Sequence, residues 1–172
     1  MIRTNKYLPF IAFVLCGLWV ACTQTRDPCL TPKIASLNIE MIRLVSDTST
    51  AFIDTALPAA IFIPLTKNGI NTGTIYPQQS NFTISLSPDD TVCKWLFTTD
   101  SLYSFDTLTF YYQRNLQFIS NACGFTYFYS IDTILVTHDI SAPVIIDSFH
   151  IKNTSVTNNV NTKHLQIYIH NF

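Results

Sequence analysis

This 172-residue chain has four glycines, two tryptophans and one glutamate, Glu40. Too few glycines remain for a phosphate-cradling loop, and neither a Walker nor a dinucleotide fingerprint occurs. A pair of catalytic carboxylates would have to come from aspartate alone. Charged residues make up 12% of the chain, and no basic patch or Arg-rich segment exists. Nucleic acid binding therefore has no electrostatic support. No two cysteines beyond the leader stand two to four apart, so zinc-ligand spacing is missing. Gly-x-Ser-x-Gly and His-x-His are absent too. What is present is apolar: 48% hydrophobic residues argue against disorder.

The apolar residues first gather at the N-terminus. Arg3 and Lys6 precede an almost uninterrupted run from Leu8 to Val20, which leads into Ala21-Cys22 and then polar Thr23 to Pro28. About 13 residues suit a signal-peptide core, whereas a bilayer-spanning helix needs about 20. The pattern resembles the export signal of a bacterial lipoprotein. It departs in one place, because Trp19 stands where such signals usually carry Leu. The resemblance implies cleavage before Cys22 and a diacylglyceryl group on its sulfur. The expected division is a signal peptide at 1–21, a lipidated tether at 22–32 and one domain at 33–172. Ten basic residues less Arg3 and Lys6 leave eight against eleven acidic ones, a net charge of −3 for the mature chain.

Three cysteines remain: Cys29, Cys93 and Cys123. Export implies an oxidising compartment, so one bridge and one leftover thiol are expected. Cys29 follows Pro28 in the polar approach to the domain, and Cys123 sits in the turn Asn121 to Gly124. Cys93, within Val92 to Phe97, reads as a buried strand residue. Cys29–Cys123 is the favoured pair. Cys29 lies seven positions after Cys22, so the tether is short.

The rest of the chain reads as strands. Asn81 to Ser87 alternates polar and apolar, as a half-buried strand does. Ser36 to Met41 does the same, and its slip at Ile42-Arg43-Leu44 points to a bulge. Thr107 to Tyr112 turns Leu108, Phe110 and Tyr112 inward; His164 to His170 aligns Leu165, Ile167 and Ile169. Further runs are Ala60–Leu65, Val92–Phe97, Gln117–Ser120, Phe125–Tyr129, Ile131–Thr137 and Val144–Ile151. Turn residues separate them, at Ser87-Pro88-Asp89-Asp90 and Asn158-Asn159 among others. The expected fold is all-β: a single antiparallel β-sandwich, immunoglobulin-like or jelly-roll-like, with a closed barrel as the alternative.

Asp followed by Thr or Ser and then an aliphatic residue recurs five times, placing hydroxyls at Thr55, Thr91, Ser101, Thr107 and Thr133. The pattern resembles the O-glycosylation signal of exported Bacteroidota proteins. Read as local structure, Asp closes a turn, Thr opens a strand and the aliphatic side chain enters the core. Neither His138-Asp139 nor the pair His164 and His170 makes a site, since adjacent strand residues face apart and the latter two stand about 20 Å apart along one strand. They read as surface histidines, and no metal or cofactor is expected. Tyr127 and Tyr129 share a strand face. Exposed, they would form a platform for a sugar or a partner; buried, they are core residues with a polar tip.

The segments Thr25 to Leu30, Asp106 to Arg114 and Leu116 to Tyr127, together with Cys22, resemble a family of Bacteroidota lipoproteins built on a domain of unknown function. The resemblance implies an envelope lipoprotein, supports Cys29 and Cys123 as the structural pair, and carries no activity. The expected role is non-enzymatic: a lipid-anchored structural or assembly accessory, bound to the membrane through its lipid and to an envelope protein partner. Only Asp27 follows the lipidated cysteine closely, which favours the outer membrane facing the periplasm over the cell surface. The alternative is a binding lipoprotein for a glycan or nutrient, using Tyr127 and Tyr129.

Overall fold

The computed structural model describes residues 28–31, 33–44, 52–54, 60–66, 69–70, 74–76, 79–99, 104–139 and 144–169. The expected signal peptide, Cys22, Thr55, Ser101 and His170 lie outside the described residues. The described strands are β1 (Ser36–Leu44), β2 (Phe52–Asp54), β3 (Ala60–Thr66), β4 (Gly69–Ile70), β5 (Thr74–Tyr76), β6 (Asn81–Ser85), β7 (Val92–Thr98), β8 (Asp106–Ser120), β9 (Gly124–His138), β10 (Ile146–Ile151), β11 (Ser155–Val156) and β12 (Leu165–Ile169). No helix occurs among the described residues.

The strands form two sheets that pack against each other as a β-sandwich. The first runs β10–β12–β1–β2; β6 shares the β2 edge of β1, pairing with Ser36–Glu40 while β2 pairs with Ile42–Leu44. The second runs β11–β9–β8–β7–β3–β4, with β5 also on β3. Alternation supplies the core. Leu37, Ile39 and Met41 of β1, Phe82 and Ile84 of β6, and Leu165, Ile167 and Ile169 of β12 are buried from one sheet. Phe62 of β3, Phe97 of β7, and Leu108, Phe110 and Tyr112 of β8 are buried from the other. The Phe62 ring meets Phe82 across the sheets at 5.2 Å and Phe97 within its own sheet at 4.9 Å. Burying each of these rings contributes about 2–3 kcal/mol.

Several details depart from the pattern in the sequence. The first sheet is mixed, because β1 and β12 run parallel from Ile39↔Leu165 to Arg43↔Ile169. Parallel neighbours need a long crossover, and here it comprises all the strands between them. The slip expected after Met41 does not occur: β1 pairs continuously through Arg43, and Ile42 is buried on the opposite side of the strand from Met41. The register shifts fall elsewhere, at Tyr111/Tyr112, Phe118/Ser120 and Ile146/Ser148. The four short runs expected between Thr107 and Thr137 are two 15-residue strands, β8 and β9. Gln113, Arg114 and Asn115 break the apolar pattern, yet the cross-strand ladder carries β8 straight through them.

Polar groups fasten one sheet to the other. Asp106, 1% exposed at the start of β8, accepts hydrogen bonds from the Ile145 and Ile146 amides at the start of β10, at 3.0 and 2.7 Å. Its other oxygen lies 2.9 Å from His138 Nδ1, directly opposite on β9. The Tyr112 hydroxyl donates to the Ser87 carbonyl and accepts from the Ser87 amide, just beyond β6. The Asp106 carboxylate and the Tyr112 hydroxyl are thereby satisfied, which removes a desolvation cost of about 1–3 kcal/mol per group. The turn after β6 is held by the Ser87 hydroxyl, which accepts from the Asp89 and Asp90 amides, both at 3.3 Å.

Asp106→Ala is expected to lower the unfolding free energy by about 3 kcal/mol or more, since two buried amides lose their acceptor. Asp132→Ala, at an exposed residue, is expected to change it by less than about 1 kcal/mol. Denaturant titration of both variants gives the comparison, and equal effects would refute the role assigned to Asp106.

Candidate functional site

The distal half of the β8–β9 hairpin leaves the sandwich. β7 accompanies β8 only from Asp106 to Tyr111. β11 accompanies β9 only at Tyr129 and Ser130. From Gln113 to Ser120 and from Gly124 to Phe128 the two strands pair, among the described residues, only with each other, forming a two-stranded arm about 25 Å long. The arm has two different faces. Leu116 stands opposite Tyr127 and Phe118 opposite Phe125, and these four side chains are 56%, 37%, 55% and 63% exposed. They continue the same side of β8 that buries Leu108, Phe110 and Tyr112 in the core. The reverse side carries exposed Asn115 and Gln117, with half-buried Thr126, Phe128 and Ile119. The rings of Phe118 and Phe125 meet at 5.2 Å, tilted by 59°, and the Arg114 guanidinium lies 5.8 Å from the Tyr127 ring centre. Arg114 also donates to the Pro88 carbonyl, which ties the arm to the turn after β6.

A two-stranded ribbon is marginally stable in water, and here it is braced. Cys29 and Cys123 form a disulfide across 94 positions, with Cα atoms 4.8 Å apart. Cys123 lies in the turn at the arm's tip, which Gly124 closes at φ +74°. From that staple the N-terminal segment passes the arm: the Thr126 hydroxyl donates to the Lys33 carbonyl. Leu30 and Ile34 in this segment are 89% and 69% exposed. Cys93 is the free thiol among the described residues; burial raises its pKa to about 11, with Tyr112 as a hydrogen-bonding neighbour. A thiol so protonated is a poor nucleophile.

The other residues singled out by sequence are scattered. Tyr129 is 6% exposed, against 37% for Tyr127. Its ring packs edge-on against Tyr112 at 5.4 Å, and its hydroxyl lies 3.4 Å from the Leu86 carbonyl. Tyr127 and Tyr129 thus share a face of the strand without sharing its exposure, because the sandwich ends between them, and no tyrosine platform forms. Of the hydroxyls in the Asp-Thr/Ser pattern, Thr91 and Thr133 are exposed and Thr107 is half-buried inside the second sheet. Asp106 does bond backbone amides, but distant ones on the other sheet.

Two polar centres escaped the sequence reading. Glu40, on the outer side of β1, is 7% exposed and gathers Lys152 at 2.7 Å, Gln166 at 2.9 Å and Lys163. Burial pushes its pKa up, but the two ammonium groups outweigh that and hold it below the usual carboxylate range. His164 is fully buried rather than at the surface. The Asn38 amide donates to its Nδ1 at 3.0 Å, and its own amide donates to the Asn38 carbonyl, extending the parallel ladder. Burial lowers its pKa, partly offset by the backbone of Ser155. A neutral ring that accepts at Nδ1 carries its proton on Nε2. No three His, Cys, Asp or Glu side chains among the described residues converge on a metal site. A depression beside Asn38 and Lys163 offers no free polar anchor at Asn38: its side-chain amide already donates to the Val160 and Thr162 carbonyls.

The family model described as "Family of unknown function (DUF6452)" matches residues 63–169. That stretch contains the whole arm and Cys123, and begins after Cys29 and β1. No curated protein matches the chain, and no solved structure does.

Two outcomes are expected. Replacing Cys29 and Cys123 together by Ala lowers the unfolding free energy by about 2–5 kcal/mol, read by denaturant titration; an unchanged midpoint would mean that the arm needs no brace. For His164, a folded-state pKa below the unfolded value near 6.5 makes its contribution complete above that pH. The contribution is lost as pH falls below it, when the unfolded chain takes up a proton that the buried ring resists. Stability measured from pH 7 to pH 5 should therefore decline more steeply in the native sequence than in His164→Gln. Parallel profiles would contradict this.

Proposed function

The chain belongs to this family of unknown function, and from that premise we propose that it is a non-enzymatic, lipid-anchored protein of a bacterial envelope, acting as a structural or assembly accessory. The observation that carries the reading is the Cys29–Cys123 staple. Seven positions separate Cys22 from Cys29, which limits an extended tether to about 25 Å. A lipid on Cys22 would hold the domain against its membrane by the tip of the arm rather than on a long stalk. Diacylation suffices for stable attachment, since each buried methylene contributes about 0.8 kcal/mol and a single chain binds only reversibly. The outer membrane of a Bacteroidota cell, with the domain facing the periplasm, is the setting that best fits the lipoprotein-like leader and the sparse acidity after Cys22. The family resemblance supports the same setting. A glycan- or nutrient-binding role gains no support, because Tyr129 lies in the core.

Cys22→Ala is expected to move the protein from the membrane to the soluble fraction of its native host. Fractionation with immunodetection reads the result, and unchanged membrane association in this variant would overturn the anchored reading.

A further inference from the structure

Exposed apolar side chains are common on proteins, but a row of them on one side of a projecting ribbon needs a covering. Leu116, Phe118, Phe125 and Tyr127 form such a row, and Leu30 and Ile34 add exposed apolar surface on the segment stapled to the same arm. Two further observations say what covers it. The first is where the chain leads. Beyond Cys29 it continues towards Cys22 from the arm's tip, so this end of the molecule is the one nearest the lipid.

The second is charge. The chain has eleven acidic side chains, yet none lies from Pro28 to Ala35 or from Thr107 to Ile131. Lys33 and Arg114 are the only charged residues in those two stretches, while Arg26 and Asp27 offset each other in the tether. The exposed end of the arm is therefore apolar and aromatic and carries no acidic side chain of its own, with Lys33 on the stapled segment; Arg114, at the arm's base, is held at the Pro88 carbonyl beside Asp89 and Asp90. The surface of a membrane containing anionic phospholipid matches this end: aromatic rings favour the headgroup level, and cations are attracted to the surface.

We propose that the Leu116, Phe118, Phe125 and Tyr127 face of the arm lies on the phospholipid surface, its side chains entering the boundary between headgroups and acyl chains. This rests on the anchored reading above. The lipid on Cys22 brings the arm to the bilayer, and the arm fixes the orientation of the sandwich, with Asn115 and Gln117 turned to water. The Cys29–Cys123 staple makes the two contacts one unit, so the domain is held at two points and cannot swivel freely about a single anchor.

The experiment uses the processed full-length protein reconstituted in vesicles of phosphatidylethanolamine and phosphatidylglycerol whose acyl chains carry bromine. Tryptophan is introduced at the arm as Phe125→Trp or, separately, as Phe118→Trp. The control is Leu135→Trp, at an exposed site on β9 within the sandwich. Intact mass reads acylation of Cys22 independently. Subtracting the fluorescence of the unsubstituted protein isolates each new tryptophan. Quenching several-fold stronger at 125 or 118 than at 135 is the expected result. Equal quenching at the arm and at 135, or none at the arm, overturns the proposal and leaves the face to a protein partner. An acylated protein with an unquenched arm refutes the arm contact alone. An unacylated protein refutes the anchored reading, and its quenching pattern still decides the arm.

Discussion

Two strands of this protein are longer than the layer that covers them. β8 and β9 each run for 15 residues, while on the opposing sheet β1 runs for nine and β6 and β12 for five. At about 3.4 Å per residue the hairpin reaches roughly 50 Å, and strands of five to nine residues cover about 17 to 30 Å. One half of the hairpin can be buried; the other must project. The alternation along β8 does not change at the point of exit, so the side that fills the core with Leu108, Phe110 and Tyr112 goes on to present Leu116 and Phe118 to the outside. The exposed face, the need for a brace and the position of the disulfide all follow from that mismatch of lengths.

The buried half is kept in place by polar contacts as much as by packing. Asp106 and Tyr112 each reach from the second sheet to backbone groups that flank strands of the first. Glu40 draws Lys152 and Lys163 over the outer side of β1, and His164 locks the start of β12 onto Asn38. Such contacts contribute little net energy when intact and cost much when broken. They fix which strand edges meet, adding to the register that burial of one face of each sheet already specifies.

Much of the fold was legible in the chain. Strict alternation located β6, β12 and the inward residues of β8, and turn chemistry located Ser87 and Gly124. Cys29 and Cys123 were distinguishable from Cys93 by their polar surroundings. The features that stayed hidden depend on length and register. Leu116-Gln117-Phe118 has the same pattern as Leu108-Thr109-Phe110, and only the reach of the opposing sheet makes one exposed and the other buried. The same holds for Tyr127 and Tyr129, two residues apart and on opposite sides of the sandwich's boundary. His164 resembled a surface residue because it lies in phase with Gln166 and Tyr168, but the loop through Lys152 and Asn153 folds back and hydrogen-bonds to its carbonyl. The pairing of His138 with Asp106 was invisible for a similar reason: it arises from strand register over 32 positions.

The proposed lipid at Cys22, the staple at Cys29 and the apolar arm would together seat the domain on a membrane by one end. Hydrogen–deuterium exchange tests that arrangement most directly, comparing the acylated protein in a bilayer with the soluble Cys22→Ala form. The expected result is added protection confined to peptides covering 113–128 and 28–34, with the sandwich strands unchanged. Protection spread evenly over the domain, or centred on the opposite edge at β2 or β4, would contradict the account.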